Sequence, residues 1–269
     1  MQYGAMNFPV KPILDEIETF TKLGFDYLEL AMDPPMAHHS IIDANKGAIK
    51  KALSDSGLGI VCHLPTFVST ADLTESIRRA SVMEMHRSLD IALILGAKKV
   101  VLHPSMVGGM GGFVLNTVKN YFYDFLAEMV SDAESKGISI CLENMFPRNL
   151  LGVEVRDFEE IFSQFPTLKL TLDTGHANIG DYNGNRLTLL VEKYGKQIGH
   201  LHFSDNQGRL DEHLALGQGT INFKNLIRSL KAIGYDDTLT LEVFDDDRQM
   251  LVASRKRIEG VLAGRFRWF

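Results

Sequence analysis

Short apolar, β-branched runs recur along the chain, separated by longer stretches with an apolar position every three or four residues. The short runs are QYGAM (2–6), FDYLELA (25–31), GIVCHL (59–64), KVVLHP (99–104), ISICLEN (138–144), LKLTLDT (168–174), IGHLHFS (198–204) and LTLEVF (239–244). They are nearly continuous in hydrophobicity rather than alternating, as parallel strands covered on both faces are. In 12–24, Ile13, Ile17, Phe20 and Leu23 share one helical face and Gly24 supplies a stop. The stretch 72–96 opens at Asp72 or Thr74 as a cap and ends at Gly96, and 113–137 ends at Gly137. Helical spacing recurs over 157–166, 187–195, 223–234 and 246–262. Helix, then Gly, then strand is C-cap logic repeated along the chain. The pattern predicts one domain over residues 1–269, an α/β (β/α)8 TIM barrel. An open doubly wound sheet is the alternative, but it usually carries a Gly-rich turn after its first strand. Here that position reads MNFPVKP.

Composition agrees with a single barrel. A chain of 269 residues with 45% apolar residues can fill one large core. The net charge of −6, without any Lys/Arg block, argues against a non-specific polyanion binder, although a local basic groove would be compatible with it. Cys62 and Cys141 lie inside apolar runs, so no disulfide framework is expected and the cytoplasm is the expected compartment. The N-terminus lacks the charged and apolar regions of a signal peptide, and no apolar run approaches the roughly 20 residues of a membrane span. The tail GRFRWF (264–269) holds the sole Trp and would dock either on the barrel or on a second subunit, making a homo-oligomer.

The strand ends change the picture. In such barrels chemistry gathers at the C-terminal ends of the strands. Reading the last polar residue of each run from the second to the eighth gives Glu29, His63, His103, Glu143, Asp173 with His176 a turn on, His202 and Glu242. A lone His or Glu at a strand end is more often a hydrogen-bonded residue than a ligand. Seven in register, aimed at one centre, are costly to desolvate without a cation. His, Asp and Glu with almost no Cys suit a divalent Zn, Mn, Fe or Co ion. Side-chain alternation places His200 one layer below His202, as a core residue, with Cys141 below Glu143 and Thr240 below Glu242.

The ordered motifs LEN (142–144), LDTGH (172–176), HFSD (202–205), DEHLALGQG (211–219) and LEV (241–243) resemble the xylose-isomerase-like TIM-barrel superfamily. That superfamily unites sugar and sugar-phosphate isomerases and epimerases with endonuclease IV (AP endonuclease family 2). LEN or LEV alone is weak; the ordered set, running in order to the eighth strand, is specific. The resemblance to the isomerase branch implies one metal held by Glu143, Asp173, His202 and Glu242. The two glutamates would also be the acid/base pair across a bound sugar, proceeding through an enediolate. It implies substrate-binding roles for His176, His63 and His103. Arg148 and Arg209 are the cations nearest in sequence, candidates for a substrate phosphate or the enediolate and otherwise solvated loop residues.

The endonuclease branch implies three metals on nine ligands. This chain has a matching type at each: His63, His103, Glu143, Asp173, His176, His202, Asp211, His213 and Glu242. Three departures stand against that branch. LHPSM replaces a pattern resembling F-H-P-G-S, LDTGH lacks a Cys before the His, and Gln218 stands where Glu is common. No cluster of Arg, Lys and aromatics is evident to enter a DNA groove. The expected activity is therefore a sugar or sugar-phosphate isomerase or epimerase with a small-molecule substrate. A nuclease acting on abasic DNA is second, and a barrel that binds metal without catalysis is third.

Overall fold

The computed structural model describes residues 1–181 and 184–264. Eight parallel strands close into one barrel in sequence order: β1 (Gln2–Met6), β2 (Tyr27–Ala31), β3 (Gly59–His63), β4 (Lys99–Leu102), β5 (Ser139–Glu143), β6 (Lys169–Asp173), β7 (Ile198–Phe203) and β8 (Thr238–Leu241). All eight predicted strands are present. β1 closes on β8 with Gln2 opposite Thr238 and Ala5 opposite Leu241.

The helices are α1 (Ile13–Lys22), α2 (His39–Ser56), α3 (Glu75–Leu95), α4 (Leu115–Ser135), α5 (Val155–Gln164), α6 (Thr174–Asn178), α7 (Arg186–Tyr194), α8 (Phe223–Ala232) and α9 (Gln249–Leu262). The longer ones form because each buries an apolar stripe. In α8, Phe223, Leu226, Ile227 and Leu230 are buried at helical spacing. Two helices fall outside the predicted pattern. The first, α2, buries only His39, Ile42, Ile49 and Leu53 along its 18 residues. The second, α6, is a short turn carrying His176. No helix among the described residues is long and apolar enough to cross a membrane. The tail prediction falls almost wholly on residues 265–269, outside the described residues.

The main core lies between sheet and helices. Inside the barrel a small apolar plug of Tyr27, Val61 and Val101 fills the lower end. A side chain at Gly4 would place its Cβ 2.2 Å from the Tyr27 ring, so glycine is what lets that ring cross the barrel.

The register corrects one expectation. β2 ends at Ala31, which pairs with His63, while Glu29 pairs with Val61 one layer deeper. Glu29 therefore lies below the strand ends and does not join the ring of candidate ligands.

Candidate metal centre

Six strand ends and two loops deliver the site. Glu143 and Asp173 are the last residues of β5 and β6, and His63 is the last of β3. His202 is the penultimate residue of β7, opposite Asp173. Glu242 directly follows β8, and its amide still donates to Phe203 O at 3.1 Å. His103 directly follows β4, and α6 brings His176 back over Asp173. Asp211 and His213 arrive on the long loop after β7. That loop is pinned by Asp205, which is fully buried and accepts amides of Gly217 at 2.8 Å, Gly219 at 2.9 Å and Ile221 at 3.2 Å. His213 has a left-handed backbone (φ 48°), a strained conformation for a non-glycine residue.

Ligand-type atoms of Glu143, Asp173, His202 and Glu242 all lie within 4.8 Å of one another. His202 Nδ1 sits 3.4 Å from Glu143 Oε1, 3.5 Å from Glu242 Oε1 and 3.9 Å from Asp173 Oδ2. Beside this group, His63 and His103 approach the other oxygen of Glu143, Oε2, at 3.4 and 3.1 Å. On its far side, His176 Nε2 and His213 Nε2 meet Asp211 Oδ2 at 3.3 and 3.1 Å. Three groups of His and carboxylate thus adjoin, with Glu143 shared between two of them.

A divalent cation fits this donor set. Both oxygens of Glu143, Asp173 Oδ2, His202 Nδ1, Asp211 Oδ1 and His213 Nδ1 are buried without a hydrogen-bond partner. Glu143 Oε1 and His202 Nδ1 lie 3.4 Å apart without forming a hydrogen bond, as groups do when they point at a common centre. Leaving so many buried polar atoms unmatched would be costly. The outer ring nitrogens are already committed: His63 Nδ1 donates to Leu64 O at 2.8 Å, and His176 Nδ1 to Asn144 O at 3.0 Å. Each donation leaves Nε2 to face a carboxylate of the site, Glu143 for His63 and Asp211 for His176.

Electrostatics agree. Burial alone would raise the Glu143 carboxyl, but His202 and His103 beside it hold it well below the usual carboxylate range. Asp173 goes the other way. Burial raises it to about 8, reinforced by Glu143 and Glu242, and the opposing His176 does not compensate. Burial lowers the His213 imidazole, but Asp211 and Glu242 carry it up to about 9. Asp173, crowded by its neighbours, keeps a proton that a divalent cation would replace.

The cluster forms the floor of a cavity of about 320 Å³ at the C-terminal end of the barrel. Its walls are largely apolar, including Met6, Phe8, Phe67, Met106, Phe146 and Phe244. Phe244 stacks on Phe8 at 5.5 Å and meets the His213 ring edge-on at 4.8 Å. No Lys or Arg lines it among the described residues. A larger, shallower hollow of about 630 Å³ at the opposite end is lined by Asp26, Lys50 and Lys98 among others and contains no ligand cluster.

The xylose isomerase-like TIM barrel family model matches residues 17–263. The chain belongs to this family and is an enzyme. A solved D-tagatose 3-epimerase-like protein is 26% identical and superposes with a TM-score of 0.85 over 98% of each chain. The L-ribulose 3-epimerase of Mesorhizobium japonicum is 25% identical over 83% of this chain and 73% of its own. A probable endonuclease 4 of Mycoplasma pneumoniae is also 25% identical, over 77% of this chain and 73% of its own.

Within the family frame, the barrel brings together His63, His103, Glu143, Asp173, His176, His202, Asp211, His213 and Glu242. It does not bring in Arg148 or Arg209, which are exposed and do not line the cavity. Two residues that shape the site, Asn144 and Asp205, had no role assigned from the sequence, and a third, Glu29, was expected in the ligand ring instead of beneath it. Asn144 clasps the neighbouring strand, accepting from Asp173 N at 2.8 Å and donating to Asp173 O at 3.0 Å. Its only signal was its place in LEN. Asp205 pins the ligand loop, and the glycines of LGQG that follow were its trace. Glu29 holds His202 from below, and only the register reveals it.

Proposed function

We propose that the protein is a metal-dependent sugar isomerase or epimerase that works by proton transfer, with Glu143 and Glu242 as the acid/base pair. The carrying observation is the two buried carboxylates converging on His202 Nδ1 at the floor of a small-molecule-sized cavity, with both oxygens of Glu143 unpartnered. The similarity to a D-tagatose 3-epimerase-like protein and an L-ribulose 3-epimerase supports the substrate class.

Glu143, Asp173, His202 and Glu242 would hold the central ion. A divalent cation bound there supplies Lewis acidity to the sugar's carbonyl and hydroxyl oxygens and offsets the charge of the enediolate. The protein's own groups do the rest. One glutamate takes the proton beside the carbonyl and the other returns one, to a different position or the opposite face. His176 and His103, at the cavity wall, donate hydrogen bonds to substrate oxygens. The Phe8–Phe244 stack packs the apolar C–H face of the sugar and excludes water. Without a cationic wall residue, a free sugar suits the cavity better than a sugar phosphate.

In the test, purified protein is incubated with ketoses and a divalent metal in D2O, and deuterium uptake at carbon is followed by NMR. Metal-dependent exchange is expected, and it should vanish in Glu143→Gln and Glu242→Gln. If no sugar exchanges with the wild type, the reading is wrong.

A second reading rests on the three adjoining ligand groups, which match the nine residues of the endonuclease IV pattern. It makes the protein a three-metal phosphodiesterase acting on abasic DNA. It predicts three metals per chain by elemental analysis and incision of an abasic-site duplex. One tightly held metal and no incision would remove it.

A further inference from the structure

The polar groups inside the barrel below the metal centre form one hydrogen-bonded column. Glu29 stands at its head, with 0% of its surface exposed. Its Oε1 lies 2.9 Å from His202 Nε2, and its Oε2 lies 2.8 Å from His200 Nε2. The Thr240 hydroxyl also bonds Oε2, and Tyr27 Oη meets that hydroxyl at 2.8 Å. Below, His200 Nδ1 is 2.7 Å from Thr238 Oγ1, which is 2.8 Å from Lys99 Nζ. Lys99 also pairs with the exposed Asp237 at 2.9 Å.

The proton positions in this column follow from what each group can do. An ammonium only donates, so Lys99 fills an acceptor site on Thr238 and the Thr238 hydroxyl turns its proton to His200 Nδ1. His200 then carries its proton on Nε2 and donates it to Glu29. A carboxylate only accepts, so His202 must likewise carry its proton on Nε2. That leaves the lone pair of His202 on Nδ1, the atom that is buried, unpartnered and aimed at Glu143, Asp173 and Glu242. His63 and His176 have their ring nitrogens set by backbone carbonyls in the opposite sense, with Nε2 facing inward.

We propose that Glu29 is a positioning residue for the metal centre. Through the His200–Thr238–Lys99 column it locks His202 in the Nε2–H tautomer and ring orientation that present Nδ1 as the metal-binding nitrogen. Glu29 touches neither the cavity nor the substrate; it acts through His202. The inference rests on the metal-dependent reading of the site. An outer carboxylate of this kind also raises the basicity of the imidazole it holds, so its loss typically lowers metal affinity about 10–100-fold.

The decisive variant is Glu29→Gln, which keeps the side-chain volume. Its carbonyl can accept from one imidazole, but its amide must donate to the other, so one histidine must change tautomer. Two readouts are needed. The first is metal affinity by competition with a chromogenic chelator, expected to fall about 10–100-fold while the apo-protein's unfolding midpoint moves little. The second is the 15N spectrum of the histidines in the wild-type zinc-loaded protein. It should show His202, assigned through its backbone correlations, protonated at Nε2 with Nδ1 free of a proton. The spectrum needs no variant, so it decides the matter even if Glu29→Gln fails to fold. A wild-type His202 protonated at Nδ1, or a folded Glu29→Gln protein that binds metal as tightly as wild type, would overturn the proposal and leave the metal reading intact. A wild type that takes up no metal would remove that reading and this proposal with it.

Discussion

At the scale of single residues, the site depends on a few positions where only one side chain, or none, is tolerated. Gly219 is the clearest. An added Cβ would fall 2.3 Å from both Asn206 O and Asp205 Oδ1, neither of which is free to move. Its amide also donates to Asp205 at 2.9 Å. Gly219→Ala should therefore cost about 1–3 kcal/mol in urea unfolding. It should also displace the loop that carries Asp211 and His213. Metal held by that pair should be lost, while the four-residue group around His202 keeps its own; elemental analysis of the two proteins separates the cases. These dependencies were only partly legible. His63, Glu143, Asp173, His202 and Glu242 could be read because a strand repeats every two residues and ends where its hydrophobic run ends. Glu29 was misplaced because the apolar residues after it, Leu30 and Ala31, continue the strand beyond the last charge. The role of Asp205 depends on amides twelve or more residues away, and such a partner leaves no local pattern.

Among the elements, the strands and most helices follow from periodicity, and α2 shows where that signal fails. Its buried apolar positions Ile42, Ile49 and Leu53 are spread over three turns, with Gly47 within the helix. Neighbouring helices supply the contact that the sequence does not advertise. Its end is nevertheless well marked: Gly57 takes a left-handed conformation (φ 68°), and its amide bonds Leu53 O and Ser54 O. An added Cβ there meets nothing within 4 Å. Gly57→Ala thus isolates the backbone cost, expected to be roughly 1–2 kcal/mol. The denaturant midpoint should fall with the slope unchanged, because no buried surface is altered.

For the whole molecule, metal uptake and stability should respond to pH in opposite directions. His213 is raised to about 9 and Asp173 to about 8 in the folded protein, above their values in an unfolded chain. The folded metal-free protein therefore holds protons that the unfolded chain has released. For Asp173 the stabilisation is full below about pH 4 and fades as pH rises towards 8. For His213 it is full below about 6.5 and is lost as pH rises through 9. Metal-free protein should accordingly melt at lower temperature at pH 9 than at pH 7. A bound cation needs those same groups deprotonated, so its affinity should climb over the same interval. Calorimetry with and without metal should show the gap in melting temperature widening with pH. A constant gap would mean that these groups do not hold the ion.

The Tyr27 ring, laid across the barrel against Gly4, has a kinetic consequence. With Val61 and Val101 it stoppers the barrel beneath Glu29, so water reaches the carboxylates at the strand ends through the mouth. A substrate filling that mouth shuts out that water. On the proposed chemistry, a hydrogen removed by one glutamate would then be retained for the lifetime of the bound state, and on reversal it would return to the substrate instead of washing out. The isotopic memory of a single turnover would measure how tightly the barrel is sealed.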